Sequence, residues 1–451
     1  MKSNKKKTKP KFRKTLKIYK PQLHTINNYK VVVIKNNSHL VSIHSYILNG
    51  FIHETKENLG INHLLEHTLV NSYKKCKKFN CYEYLNKLGL DFNATVTNNI
   101  INYYVNGLNR DTDKMLEYII NITLAPEFNN KVINREKYAV YNELLQHIDD
   151  SKYEIKNMMN RLFYTYYGLQ NSNNARQQIS NLEKFTAKYF REYYKNNYTH
   201  KNILFVVSGN FDKSKIIKQL KHLLVKKDLL VKKDLQDTEH NIIPINKTLS
   251  NFNDCFKSQS VTKFLKNEKL EGSQIYICFP TNLNYNSDRL IQLTLANDIL
   301  KYYLYQLLRV EKKLIYSIEI STQVTICGIS ISIFINTKNE NVLSILKLLK
   351  STINHYKVDK ISNKLIEPFK KKFLVKYHSA NYTSKNLADI YGIQYIYQYF
   401  LNTQILYPDE IKNKYLKTTS RDIQKAIKQN YNFNKVTCVY SNSTRSVKYT
   451  L

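Results

Sequence analysis

The feature that most constrains the fold is a repeat at an offset of 233 residues. TAKYFREYYKNNYTHKNILFVVS (186–208) aligns without gaps to TSRDIQKAIKQNYNFNKVTCVYS (419–441), with Thr186/Thr419, Lys195/Lys428, Asn197/Asn430, Tyr198/Tyr431 and Ser208/Ser441 identical. Six identities in 23 positions, counting Val206/Val439, are weak as letters, but both copies read as a polar-flanked helix running into an apolar strand. A chain of 451 residues that closes the same way twice predicts two related α+β domains.

The intervening patterns set the boundaries. YKVVVI and HLVSIHSYIL (39–48) cluster apolar and β-branched residues between turn signals and read as strands. INHLLEHTLV, after Gly60, repeats Ile61, Leu64, Leu65, Thr68 and Leu69 at helical spacing, and CYEYLNKLGL predicts a second helix ending at Gly89. FNATVT (92–97) and INYYVNGL (101–108) form a hairpin pattern. DTDKMLEYIINITL is an amphipathic helix stopped near Pro126, and NREKYAVYNELLQHI a further one with Asn134 as N-cap. LLVKKD occurs in tandem (223–228, 229–234), which fits an expansion in a connector. The expected division is a disordered basic arm at 1–20, a first domain at 21–222, a linker at 223–265 and a second domain at 266–451.

A formal charge of +35 favours anionic partners, yet 37 Tyr, 9 Gly and no Trp also fit drift toward AT-rich codons, as in a large DNA virus or a protist. No zinc-finger spacing or RRM-like aromatic motif accompanies the charge, so no specific nucleic-acid partner is expected. Six cysteines without a CxxC pair argue against a disulfide framework and against a cysteine zinc site. Without an apolar leader or a run of 18 apolar residues, a soluble intracellular protein is expected.

The chemistry concentrates in His63-Leu64-Leu65-Glu66-His67. With 12 His in the chain, chance would supply on the order of 0.01 such HxxEH matches. On a helix His63, Glu66 and His67 project within an arc of roughly 100°, and two imidazoles set among Ile61, Leu64, Leu65 and Leu69 suit zinc. A catalytic zinc takes a third protein ligand and keeps one open position. Glu143, 76 residues beyond His67 on a helix, is the candidate, with Glu136 on the same face two turns earlier.

This constellation resembles the zinc metallopeptidases of the insulinase, pitrilysin and mitochondrial processing peptidase group. Gly50 and Glu54 match the G-x-x-x-E ahead of the site, and Gly60, Asn93-Ala94, Tyr103 and Tyr104 also fall in place. In the second half LLRVEKKLIYS is similar to the family's arginine-to-tyrosine segment, with Arg309 and Tyr316 seven apart and Lys313 near the usual glycine. The glycine expected soon after HxxEH is missing from TLVNSYKK, and Val96 and Ile101 replace threonines.

The resemblance implies half of a two-part chamber, made of two homologous domains, each a largely antiparallel sheet with helices packed on one face. It implies one Zn2+ per chain held by His63, His67 and Glu143, with Glu66 as general base and Glu136 supporting the ligands from behind. Extended peptides would add to the strand carrying Asn93, Ala94 and Thr95. Arg309 and Tyr316 would act across a homodimer, or a heterodimer with a related half. The zinc helix's counterpart, SDRLIQLTLANDIL (287–300), has neither His nor Glu and should bind no metal. A zinc endopeptidase is therefore expected, with a non-catalytic or scaffold subunit of a processing-peptidase-like complex as the alternative.

Overall fold

The computed structural model describes residues 19–76, 80–234, 255–257, 259–285, 287–380 and 383–444. Nearly all of the expected basic arm, and 235–254 of the expected linker, lie outside these residues.

Two sheets organise the chain. The first contains β1 (Gln22–Ile26), β2 (Tyr29–Lys35), β3 (Leu40–Ile47), β4 (Asp91–Val96), β5 (Ile101–Leu108) and β6 (Ile203–Gly209), in the order β1-β2-β6-β3-β5-β4. The second contains β7 (Val261–Lys266), β8 (Ser273–Pro280), β9 (Ile315–Thr325), β10 (Gly328–Thr337) and β11 (Thr437–Asn442), in the order β7-β11-β8-β10-β9. Without β1 the two orders are the same. Adding 233 to the bounds of β3 gives those of β8. Every neighbouring pair is antiparallel except β2·β6 and β7·β11. The parallel pair joins the opening and closing strands of each domain, so the repeated helix–strand unit closes its sheet from within.

Helices Ile61–Val70, Thr112–Leu124 and Ala187–Asn197 bury Leu64, Leu65, Ile119 and Phe190 against Val31, Ile43, Val105 and Phe205 of the first sheet. Helices Asp288–Tyr305, Val342–Val358 and Ser420–Asn430 bury Leu295, Ile299, Ile345 and Ile427 against Ile275, Ile331 and Cys438 of the second.

The opposite faces are covered by an exchange. Helix Ser151–Phe163 leaves the first domain and packs Ile155, Met159 and Phe163 on Cys278, Phe334 and Val439 of the second sheet. Its counterpart 233 residues on, Ser384–Leu401, packs Leu387, Ala388, Tyr391 and Ile396 on Val32, Ile34, Tyr46 and Val206 of the first. Each sheet thus carries helices on both faces, one set its own and one lent. Between the sheets the Asn99 side chain donates to Val324 O (3.4 Å) and Tyr397 Oη (3.2 Å), and accepts from Ile326 N (3.1 Å).

Four expectations change. The connector does not begin at 223, because the helix Lys213–Asp234 runs through both LLVKKD copies; no Gly or Pro interrupts it. The second sheet opens at Val261 rather than 266, on the alternation in VTKFLK. The helix expected from Asn134 starts at Asn130, capped by Asn129, whose Oδ1 accepts from Lys131 N at 2.8 Å. Finally, four of the six cysteines are paired, as Cys76–Cys81 and Cys255–Cys327. A search for CxxC spacing sees neither pair, one five residues apart and the other formed by the fold across 72.

Candidate metal centre

The motif helix Ile61–Val70 is placed from its N-terminus. Gly60 has φ +94°, the left-handed region where a side chain would be strained, and a Cβ there would also meet Gln178 at 3.1 Å. The first free amides of the helix are taken by the buried Glu54, whose carboxyl oxygens accept from Gly60 N at 2.8 Å and Asn62 N at 2.9 Å. Burial pushes the Glu54 carboxyl up to about 8, against the pull of those two amides. From below, Tyr103 of β5 donates its hydroxyl to Leu65 O at 3.2 Å. Tyr104 points to the other face of the sheet and stacks on His44 at 5.3 Å.

This support turns His63, Glu66 and His67 toward helix Asn130–Asp149, which carries Glu136 and Glu143. His63 Nε2 lies 3.3 Å and His67 Nε2 3.6 Å from Glu143 Oε2. Ligand atoms of His63, His67 and Glu143 all fall within 4.8 Å of one another, the only such group among the described residues. Tetrahedral zinc with bonds near 2.0 Å has ligand-to-ligand edges of about 3.3 Å, so this donor set fits the ion in both chemistry and spacing. Nδ1 of His67 faces Glu136 Oε2 at 3.7 Å, leaving Nε2 directed at the cluster.

The electrostatics follow from the packing. Burial raises the proton affinity of Glu66 above the ordinary carboxylate range, and the two imidazoles pull it back only in part. The His63 hydrogen bond holds Glu143 below that range. Burial would raise Glu136, but hydrogen bonds from His67 and Arg135 outweigh it and hold it low. Burial would likewise depress His67, but its carboxylate neighbours raise it.

A cavity of about 290 Å³ opens over the cluster, lined by Val70, Asn71, Phe92, Asn93 and Ala94 besides the ionisable groups. Asn93 and Ala94 belong to β4, the edge strand of the first sheet. Thr95 is on the same strand but does not line the cavity. Asn93 turns its side chain back, Oδ1 accepting from Ala94 N at 2.9 Å.

Arg309 and Tyr316 are not brought to the cluster within this chain. Arg309 lies in a π-helical turn, Gln306–Glu311, where Nη1 donates to Ile315 O at 2.8 Å, and Tyr316 is 55% exposed at the start of β9. Lys313 has φ +54°, a conformation that glycine adopts more easily. The segment 287–300 is helical from Asp288 onward, with Ser287 as its N-cap, and supplies no residue to the metal-type cluster found among the described residues. Sequence reasoning missed Asn71 and Arg135, which both donate to Glu136 Oε1. Their signals were present: a polar residue four beyond His67, and a base beside the carboxylate.

Residues 30–175 match the family described as Insulinase (Peptidase family M16), and residues 184–373 match the Peptidase M16 inactive domain. The chain belongs to the insulinase (M16) peptidase family. It is 22% identical over 358 residues to the uncharacterized zinc protease YmxG of Bacillus subtilis, covering 76% of this chain and 80% of that protein. In fold it is similar to a protease from Helicobacter pylori, with a TM-score of 0.79 at 16% identity, covering 94% of this chain and 100% of that one. It is also similar to the periplasmic protease PqqL from Escherichia coli, with a TM-score of 0.71 at 15% identity, but its 94% coverage spans 48% of that chain.

Proposed function

We propose that this chain is a zinc-dependent endopeptidase acting on extended peptides or unfolded segments. The observation that carries the reading is the convergence of His63, His67 and Glu143 beside Glu66 under an open cavity. His63, His67 and Glu143 would hold Zn2+, which when bound supplies a Lewis acid for the scissile carbonyl. Glu66, raised in proton affinity by burial, takes the proton of the attacking water and delivers it to the departing amine. Peptide adds to the free edge of β4, where main-chain hydrogen bonds hold any sequence in register past the cluster.

A zinc measurement and a peptide library, read by mass spectrometry with and without chelator, test this together. We expect about one zinc per chain and chelator-sensitive cleavage, both absent from His63→Ala/His67→Ala. Glu66→Gln should keep zinc and lose cleavage by at least about a hundredfold. Stoichiometric zinc with no cleavage of any peptide would favour a scaffold subunit instead.

The completed enzyme is a dimer, with Arg309 and Tyr316 of one subunit acting at the cluster of the other. Their exposure supports this, as does the correspondence of the whole chain to half of a longer relative's fold. Mixing Glu66→Gln chains with Arg309→Ala/Tyr316→Phe chains should restore about one working site per mixed dimer. No recovery after proven subunit exchange would exclude action in trans.

A further inference from the structure

The bonds that hold Glu136 continue beyond the ligands into a loop. Glu136 offers Oε2 to His67, while Oε1 accepts from Arg135 Nε at 2.8 Å and from Asn71 Nδ2 at 3.2 Å. Asn71 caps the C-terminus of the motif helix, four residues beyond His67 and on the same face. Its Oδ1 accepts the backbone N–H of Cys81 at 3.3 Å. Both ends of the amide are therefore committed. Turning it over would set an oxygen against Glu136 and an NH2 against an N–H, losing both bonds.

Cys81 is itself fixed. It opens helix Cys81–Lys87 and is bridged to Cys76, with their Cα atoms 4.9 Å apart. Cys76 N donates to Tyr73 O at 3.0 Å, and Tyr73 lies edge-on to Tyr84 and Tyr118 in the first core. Arg135 reaches Glu136 along the carboxylate helix's own surface. Asn71 instead belongs to the helix that carries His63 and His67, so its bond makes the two ligand-bearing helices one unit.

We propose that Asn71 is a positioning residue for the metal centre, and that the Cys76–Cys81 bridge sets its orientation. The bridge holds the Cys81 amide, the amide fixes the rotamer of Asn71, and Asn71 turns Glu136 so that Oε2 remains for His67 Nδ1. His67 then keeps its Nε2 lone pair aimed at the site. The inference rests on the zinc reading above and extends it to residues that touch no ligand directly.

The test is zinc affinity by competition with a chromophoric chelator, on Asn71→Ala, Asn71→Asp, Cys76→Ser/Cys81→Ser and the Asn71→Ala/Cys76→Ser/Cys81→Ser triple variant. Melting of the metal-free proteins controls for folding. Asn71→Ala and the serine pair should each weaken zinc about tenfold, the lower end for partners behind a ligand. The triple variant should bind no more weakly than the weaker of these, because the elements act in series. Asn71→Asp, which keeps the acceptor for Cys81 but sets a second carboxylate against Glu136, should lose more than Asn71→Ala. In Co2+-loaded protein the visible absorption bands should shift in Asn71→Ala, a change that loss of global stability alone would not produce.

Wild-type affinity in Asn71→Ala, or losses that add in the triple variant, would overturn the proposal while leaving the zinc reading intact. If the serine pair does not fold, the order of Asn71→Asp and Asn71→Ala decides, and the reverse order overturns it. Wild-type protein that binds no zinc would overturn the functional reading, and this one with it.

Discussion

His44 makes the lent helix sensitive to acid. It lies on the outer face of β3, fully buried, with Nε2 at 2.9 Å from Ser42 Oγ and Nδ1 at 3.3 Å from Tyr46 Oη. Tyr46 and Tyr104 stack on its two faces at 5.6 and 5.3 Å. Helix Ser384–Leu401 brings Asp389 to 3.6 Å, with Lys385 paired to that carboxylate at 2.9 Å. Burial holds the imidazole down at about 4; Asp389 raises it and Lys385 lowers it. Between about 4 and the ordinary value near 6.5 the unfolded chain binds a proton that the folded chain refuses. The stabilisation is therefore complete above pH 6.5 and is lost as pH falls toward 4. Over the whole window it amounts to about 3 kcal/mol, of which about 2 kcal/mol falls between pH 7 and pH 5. The check is urea unfolding of chelator-treated wild type and His44→Gln at both pH values. His53, also held at about 4 by burial, is common to both proteins and cancels in the difference. The acid-induced loss should be smaller in His44→Gln by about 2 kcal/mol. Equal losses in the two proteins, or an imidazole resonance of His44 titrating near pH 6.5, would refute the reasoning.

Two further substitutions test backbone and packing. Lys313→Gly should stabilise by about 1 kcal/mol, because relieving a left-handed residue is worth about 1–2 kcal/mol and the extra freedom of the unfolded glycine costs about 0.4–1 kcal/mol; a lowered melting temperature would contradict this. Gly392→Ala places a Cβ 2.4 Å from Tyr46 Cε2 and 2.9 Å from its hydroxyl. Tyr46 is only 1% exposed and has little room to retreat. Overpacking of about 1–3 kcal/mol should outweigh the gain of about 1 kcal/mol from alanine in a helix, for a net loss of about 1 kcal/mol. Tyr46→Leu should partly suppress that loss, and strictly additive effects would show that the two do not press on each other.

The repeat carried much of the architecture, since its offset maps β3 onto β8 and helix Ala187–Asn197 onto Ser420–Asn430. The spacing of HxxEH likewise made His63, His67 and Glu143 candidates before their side chains were placed together. The exchange of helices was not legible, because an apolar stripe such as Ile155, Met159 and Phe163 says that a face is covered but not by which sheet. Asn71 escaped for a related reason. Its bonds join residues distant in sequence, and at its own position it looks like an ordinary helix-ending asparagine. In sequence Lys313 shows only a departure from the usual glycine; its positive φ gives that departure a physical cost.

The lent helices also dictate an order of assembly. When β6 has been synthesised the first sheet can close, yet Val32, Ile34, Tyr46 and Val206 stay bare until Leu387 and Tyr391 arrive. From Val206 to Leu387 is roughly 180 residues, about 10–40 s at a translation rate of roughly 5–20 residues per second. For that interval the nascent first domain displays an apolar sheet face that neighbouring ribosomes' products or a chaperone can occupy. Neither half of this chain is therefore a self-sufficient folding unit: a fragment cut between the sheets keeps its own helices but loses the cover of one whole face.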